Sequence, residues 1–350
     1  MVNIKAVRKS NSGLKARPSG MVALFVGSTS GIGKGSVMQF AKYANAPKVY
    51  IVGRSKTAAT ALLNELERLN PQGTFVFIET DICLIKNADI VSDLIATKER
   101  KLDLIFLSTG FLSGAGRQET SEGIDTLCAL SYYVRLRLIY KLLPLLSASP
   151  HPRVVSILAG GSERDIDIED LQVRKDYTLI KAIRTCTTQT TLAFEELAKS
   201  YPTITFCHVH PGFVVTGILN KFTHTAKGMW TLPATLARWT FIPVVQLFGR
   251  SIEDAGEWGA FVSTSAKYPP AKPKQKDVGI ALTEGDTIAQ STVVNDDGQG
   301  NGVYRLNNYG ENVNNECDAI LANYRQNHVG EKIWEETISV WERATKRREP

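Results

Sequence analysis

The sequence predicts a doubly wound α/β fold, a parallel sheet covered by helices on both faces. Three observations carry this expectation. Short runs of β-branched and aromatic residues alternate with longer segments of helical periodicity. The short runs are almost continuously apolar, as strands buried on both faces are. The first of them leads through a glycine-rich turn into a helical pattern.

In chain order, strands are expected at 22–27, 49–53, 74–78, 104–107, 153–158 and 204–209, with helices near 34–45, 57–69, 85–98, 122–147 and 180–200. Right-handed crossovers bring the carboxyl ends of all these strands to one edge, so function is expected there. The organisation reads as a basic N-terminal arm (1–20), an α/β core (21–217), and an apolar, aromatic-rich region with a further helix (218–268). A Pro, Lys, Asp and Gly-rich surface loop or insertion (269–302) follows, then a last strand at 303–306 and a helix at 332–346 packed on the same domain.

Composition excludes several classes. With 43% hydrophobic and 22% charged residues, the chain is neither disordered, collagenous nor disulfide-stapled. The five cysteines are scattered without a C-x-x-C pair, which points to a reducing compartment and to no metal site. The start of the chain lacks the apolar core of a secretion signal, so the expectation is cytoplasmic. Segment 229–248 is apolar but carries Arg238, Pro233 and Pro243, which oppose a membrane span. Of the 350 residues, 41 are Lys or Arg and 35 Asp or Glu, a net charge of +6; ten of the cations and no acid precede Glu65. The basic arm alone does not make a nucleic-acid binder, because no aromatic platform or reading helix accompanies it.

The glycine-rich turn is Gly27-Ser28-Thr29-Ser30-Gly31-Ile32-Gly33. Its glycines allow a tight turn and close approach of backbone to a phosphate, which the following helix N-terminus attracts. The second strand ends Gly53-Arg54-Ser55-Lys56, with no acid to grip a ribose 2′-hydroxyl. Arg54, flanked by Ser55 and Lys56, instead suits a 2′-phosphate, favouring NADP(H) over NAD(H).

The spacing Gly27-x-x-x-Gly31-x-Gly33, then Asp81-Ile82, then Pro211-Gly212-Phe213-Val214-Val215-Thr216, resembles the short-chain dehydrogenase/reductase superfamily, whose core is a Rossmann fold. The resemblance covers about residues 20–265. Thr120-Ser121-Glu122-Gly123 and Tyr132-Tyr133-Val134-Arg135 look most like uncharacterised fungal members with an altered active site. By the resemblance, Ser28, Ser30 and Ile32 join the glycines around the cofactor. Asp81 hydrogen-bonds the adenine beside Ile82, Ser108 and Gly110 bind the cofactor from the end of the fourth strand, Pro211 and Gly212 lie on the nicotinamide side, and Thr216 touches the carboxamide or the pyrophosphate.

Carbonyl reduction in this family needs a Tyr to donate a proton, a Lys four residues on to lower its pKa, a Ser to hold the substrate oxygen and an Asn to order water. Tyr177 and Lys181 have that spacing, which places both on one helical face. Two other registers stay open: aligning on Leu192-Ala193-Phe194-Glu195 puts Thr178 and Ala182 at these positions, and aligning on Glu196-Leu197-Ala198 puts Ile183 and Thr187 there. Ser131 stands at the Asn position and Ala159 at the Ser position, with Ser162, beyond Gly160-Gly161, as the substitute. His208 and His210 share a strand face without a metal partner and are expected to be structural, hydrogen-bonded histidines.

The apolar segment 218–250 falls where the resemblance places a substrate lid, implying an apolar or aromatic carbonyl substrate of secondary metabolism. A dimer contact and membrane-surface contact through 229–248 are its alternatives. The functional expectation is an NADP(H)-dependent oxidoreductase acting on a ketone, an aldehyde or the matching alcohol. Its rival is a non-redox enzyme, isomerase or cyclase-like, or a nucleotide-binding regulator on the same scaffold.

Overall fold

The structure is a computed structural model that describes residues 3–212, 214, 249–283, 285–295, 298–313 and 316–346. Seven strands form one parallel sheet in the order β3-β2-β1-β4-β5-β6-β7. They are β1 (Val22–Val26), β2 (Lys48–Gly53), β3 (Thr74–Glu79), β4 (Leu104–Leu107), β5 (Arg153–Ile157), β6 (Thr205–Val209) and β7 (Val303–Leu306). The order reverses between β1 and β4, which opens a crevice beyond their carboxyl ends.

Strand alternation divides the core in two. Leu24 and Val26 of β1 face a cluster built with α4 (Ile85–Lys98), α6 (Val134–Ala148), α7 (Leu179–Ser200), α9 (Cys317–Gln326) and α10 (Val329–Lys346). Ala23 and Phe25 face the other, built with α1 (Ile4–Ser12), α2 (Gly31–Tyr43), α3 (Lys56–Leu69) and α8 (Ile252–Thr264). The strands therefore read as continuous apolar runs because both faces are covered.

Three sequence expectations change. The N-terminal arm is a packed helix: Val7 is fully buried, Asn3 caps α1, and Arg8 pairs with Asp254 at 3.0 Å and Glu257 at 3.6 Å. Arg8 thus binds acids on α8 that lie far away in sequence, and Arg17 pairs with Asp277. The helix expected over 122–147 starts later, as the short turn α5 (Thr126–Cys128) and a π turn (Ala129–Tyr133) leading into α6. Asp125 caps that start, while both carboxylate oxygens of Glu122 accept the first N–H groups of α4 at 2.6 and 3.0 Å. The C-terminal region holds two helices, with α9 added before α10. Arg325 of α9 grips Glu195 of α7 bidentately at 2.7 and 2.9 Å, and Trp341 of α10 donates to the Tyr133 carbonyl at 3.0 Å.

The described part of segment 269–302 has no helix or named strand and is anchored by Ile280 and Ala289 in the second core and by a buried Lys267–Asp286 pair at 2.6 Å. Among the described residues no helix is long and apolar enough to cross a membrane, and no group of three His, Cys, Asp or Glu side chains suits a metal ion. Segment 229–248 and most of the expected lid lie outside the described residues.

Candidate active site

The turn after β1 is shaped for a diphosphate. Gly27 has φ +80°, and a Cβ there would sit 2.7 Å from the Thr109 nitrogen. A Cβ on Gly33 would sit 2.2 Å from Ser108 Oγ and 2.8 Å from Ser28 Cα, so only glycine lets α2 approach the strand ends. Ser108 makes long bonds of 3.3 Å to the Val26 and Gly27 carbonyls, which ties β4 to the same turn. Ser28 Oγ is buried with no partner, and Ser30, the N-cap of α2, makes no side-chain capping bond. Two uncommitted hydroxyls, Gly31 and Ile32 at the helix start, and the free N–H groups of α2 make a cradle that fits a nicotinamide dinucleotide's diphosphate.

At the tip of β2, Arg54 is exposed and pairs with no acid among the described residues. Ser55 Oγ caps α3 by accepting from Ala58, and the Lys56 N–H donates to Glu79 at 3.0 Å, leaving the Lys56 ammonium exposed. Asp81 is exposed and folds onto its own turn, accepting from the Cys83 N–H at 3.3 Å, whereas Ile82 is buried in the first core. Gly110 is exposed beyond β4. Lys34 pairs with Glu65 at 3.1 Å on the flank of α2.

Beyond β5 and β6, a shallow cleft is lined by Ile32, Val209, Pro211, Trp258 and Asn308. His210 Nδ1 accepts the Gly212 N–H at 3.0 Å and holds the turn in which Pro211 and Gly212 lie. Thr216 lies outside the described residues.

The structure does not bring Tyr177 and Lys181 onto one helical face. Thr178 caps α7, so Tyr177 precedes the helix. The Lys181 ammonium turns back to the Lys175 carbonyl at 3.1 Å and to Asp170 and Asp167 at 3.5 and 4.0 Å. Tyr177 packs on the first core, and burial, then the charge of Asp125, raises its phenol above the ordinary range. The alternative registers place no ionisable group: Ala182 is fully buried, Ile183 is half-buried, and Thr187 is fully buried and bonds back to the Ile183 carbonyl at 2.8 Å. Ser162 is half-buried in a turn whose N–H reaches the Ala159 carbonyl at 2.9 Å.

Two buried polar groups organise these strand ends. Arg135 of α6 is 1% exposed. Its guanidinium donates to the Leu130 carbonyl at 2.9 Å, Ser156 Oγ at 2.7 Å, the Ile157 carbonyl at 2.8 Å and the Thr109 carbonyl. It thus clamps the ends of β4 and β5 to the π turn. Burial without a carboxylate lowers its pKa to about 9. The only hint in sequence is a cation inside the apolar run Tyr132-Tyr133-Val134-Arg135-Leu136. Arg135→Leu leaves these buried acceptors without donors, and the expected cost is about 3–5 kcal/mol, measured as a lowered urea midpoint; an unchanged midpoint contradicts the clamp.

The second group centres on His208, which is hydrogen-bonded as expected. Its Nε2 accepts the Ala159 N–H at 3.3 Å, so Nδ1 carries the proton and donates to Thr191 Oγ1 at 2.8 Å. Thr191 in turn donates to Glu163 Oε1 at 2.6 Å, and Glu163 Oε2 accepts from Arg305 at 3.2 Å. All four side chains are buried. The chain of bonds reaches from β7 to the backbone of Ala159, the position expected to face substrate.

The comparisons with known proteins identify the family. The short chain dehydrogenase family model matches residues 21–227. "Oxidoreductase AN1596" of Emericella nidulans is 38% identical over 99% of this chain and 100% of its own length. "Oxidoreductase andH" of Emericella variicolor is 36% identical over 100% of both. Among solved structures, L-sorbose reductase from Gluconobacter frateurii, complexed with NADPH and L-sorbose, superposes with a TM-score of 0.53 at 15% identity, covering 78% of this chain and 98% of that one. The chain therefore belongs to the short-chain dehydrogenase/reductase family of oxidoreductases.

Proposed function

We propose that the protein is an NADP(H)-dependent oxidoreductase that reduces a ketone or aldehyde of an apolar small molecule, in the cytoplasm and within secondary metabolism. The observation that carries the cofactor choice is Arg54 at the tip of β2, exposed and without an acidic partner among the described residues, together with the uncommitted Ser28 and Ser30 hydroxyls. Arg54 grips the 2′-phosphate, and the α2 N-terminus with Ser28 and Ser30 holds the diphosphate. The nicotinamide, when bound, supplies the hydride. Pro211, Gly212 and Ile32 orient it, Ser162 holds the carbonyl oxygen, and Tyr177 gives that oxygen its proton.

In this reading Lys181 takes no part, because Asp170 and Asp167 occupy its ammonium. NADPH consumption across a panel of apolar ketones and aldehydes tests it. Tyr177→Phe is expected to lower turnover about 100-fold or more, whereas Lys181→Ala leaves it within about twofold. Unchanged turnover in Tyr177→Phe removes Tyr177 as the acid.

The displacement of Lys181 favours one second reading, a non-redox enzyme or nucleotide-binding regulator. It wins if NADPH binds, no panel carbonyl is reduced and no alcohol is oxidised.

A further inference from the structure

The amino-terminal edge of the sheet holds an open cavity of about 190 Å³. Its wall comes from the turn after α1 and from the residues that lead into β1, β4 and β5. Because the strands are parallel and five residues span about 16 Å, this cavity lies on the edge opposite the nucleotide turn.

Its polar wall has donors without acceptors. Arg17 gives Nη1 to Asp277, while its Nε and Nη2 have no partner among the described residues. The ring nitrogens of His151 have none either. These two side chains are close enough for the Arg17 charge to act, after burial, in lowering the His151 pKa. The one carboxylate lining the cavity, Asp103, is already engaged: it accepts the Val22 N–H at 2.8 Å, Lys101 at 2.9 Å and the Ser149 hydroxyl at 2.5 Å. Below it, Arg153 is buried on the Val262, Ser265 and Tyr268 carbonyls at 2.8–2.9 Å, with no carboxylate bonded to it, and adds to the positive potential. Leu14, Met21 and Val278 line the remaining wall with apolar surface.

We propose that this cavity is a second binding site, separate from the cofactor site, for a small apolar organic anion, a carboxylate on a hydrocarbon or aromatic body. The carboxylate accepts from Arg17 and His151, and the apolar body covers Leu14 and Met21.

Calorimetric titration of the full chain with dodecanoate, below its micelle concentration and with and without NADPH, tests the proposal. One dodecanoate is expected to bind, with the same affinity in both conditions, and dodecanol at least about tenfold more weakly. Arg17→Ala is expected to weaken dodecanoate at least about tenfold. Asp277→Asn, which frees Arg17 Nη1, is expected to tighten it. No dodecanoate binding, displacement by NADPH, equal affinity for dodecanol, or a loss in Asp277→Asn matching that in Arg17→Ala overturns the proposal; the last outcome makes Arg17 a structural tie to the 275–279 turn.

Discussion

Gly33→Val is expected to weaken NADPH binding by about 100-fold, at the upper end of what overpacking a well-fitted contact costs. The Cβ alone would stand 2.2 Å from Ser108 Oγ and 2.7 Å from Ser28 Oγ, and valine adds two methyl groups in the same space. Relief requires α2 to move away from the ends of β1 and β4. Such a movement withdraws the helix N-terminus and the Ser28 and Ser30 hydroxyls from the diphosphate position. Fluorescence titration with NADPH reads the effect, with far-UV circular dichroism showing that the sheet and helices persist. Wild-type affinity in a folded Gly33→Val protein contradicts the placement of the diphosphate at this turn.

The second large effect is expected in acid. His208 is buried and neutral, and its pKa is lowered to about 3, first by burial and then by the cations Arg135 and Arg305. Glu163 does not rescue the charged form, because Arg305 and Thr191 already hold its carboxylate. The unfolded chain has an ordinary histidine pKa near 6.5. The folded value lies below it, so the unfolded state binds the proton first: the stability from neutral His208 is complete above about pH 6.5 and falls as pH drops towards 3. Its share of the loss approaches about 1.4 kcal/mol per pH unit on the steep part of that window. His208→Gln removes the titration, so urea midpoints of wild type and variant are expected to converge between about pH 6.5 and 4. Parallel pH profiles contradict a neutral, buried His208.

The doubly wound sheet was legible because its signal is local. Six apolar runs at strand length, with helical patterns between them, specify parallel strands buried on both faces, and Gly27 and Gly33 mark the turn where two elements must nearly touch. What the sequence hid depends on distant partners. The first 20 residues look like a solvated basic arm until Glu257 and Asp254 on α8 meet Arg8, and α9 becomes recognisable as a helix through the Arg325–Glu195 pair.

The same distinction separates the two halves of the candidate site. The proposed cofactor half lies in contiguous motifs at strand ends, so Gly33 and Arg54 are candidates that sequence position alone offers. Tyr177-x-x-x-Lys181 also has the right spacing, but spacing assumes a helix, and Thr178 starts α7 one residue too late for Tyr177 to share its face with Lys181. Acids eleven and fourteen positions earlier, Asp170 and Asp167, then take the ammonium. Arg135 and the His208–Thr191–Glu163–Arg305 chain join residues from separate elements, which no motif spans.

The central claim is a nicotinamide dinucleotide phosphate held with its 2′-phosphate on Arg54. Parallel titration of wild type and Arg54→Ala with NADPH and NADH tests it most directly. Wild type is expected to bind NADPH more tightly than NADH, and Arg54→Ala to lose about 10–100-fold for NADPH as a charge-assisted contact disappears, with NADH affinity unchanged. Equal affinity of wild type for the two cofactors, undisturbed by Arg54→Ala, contradicts it.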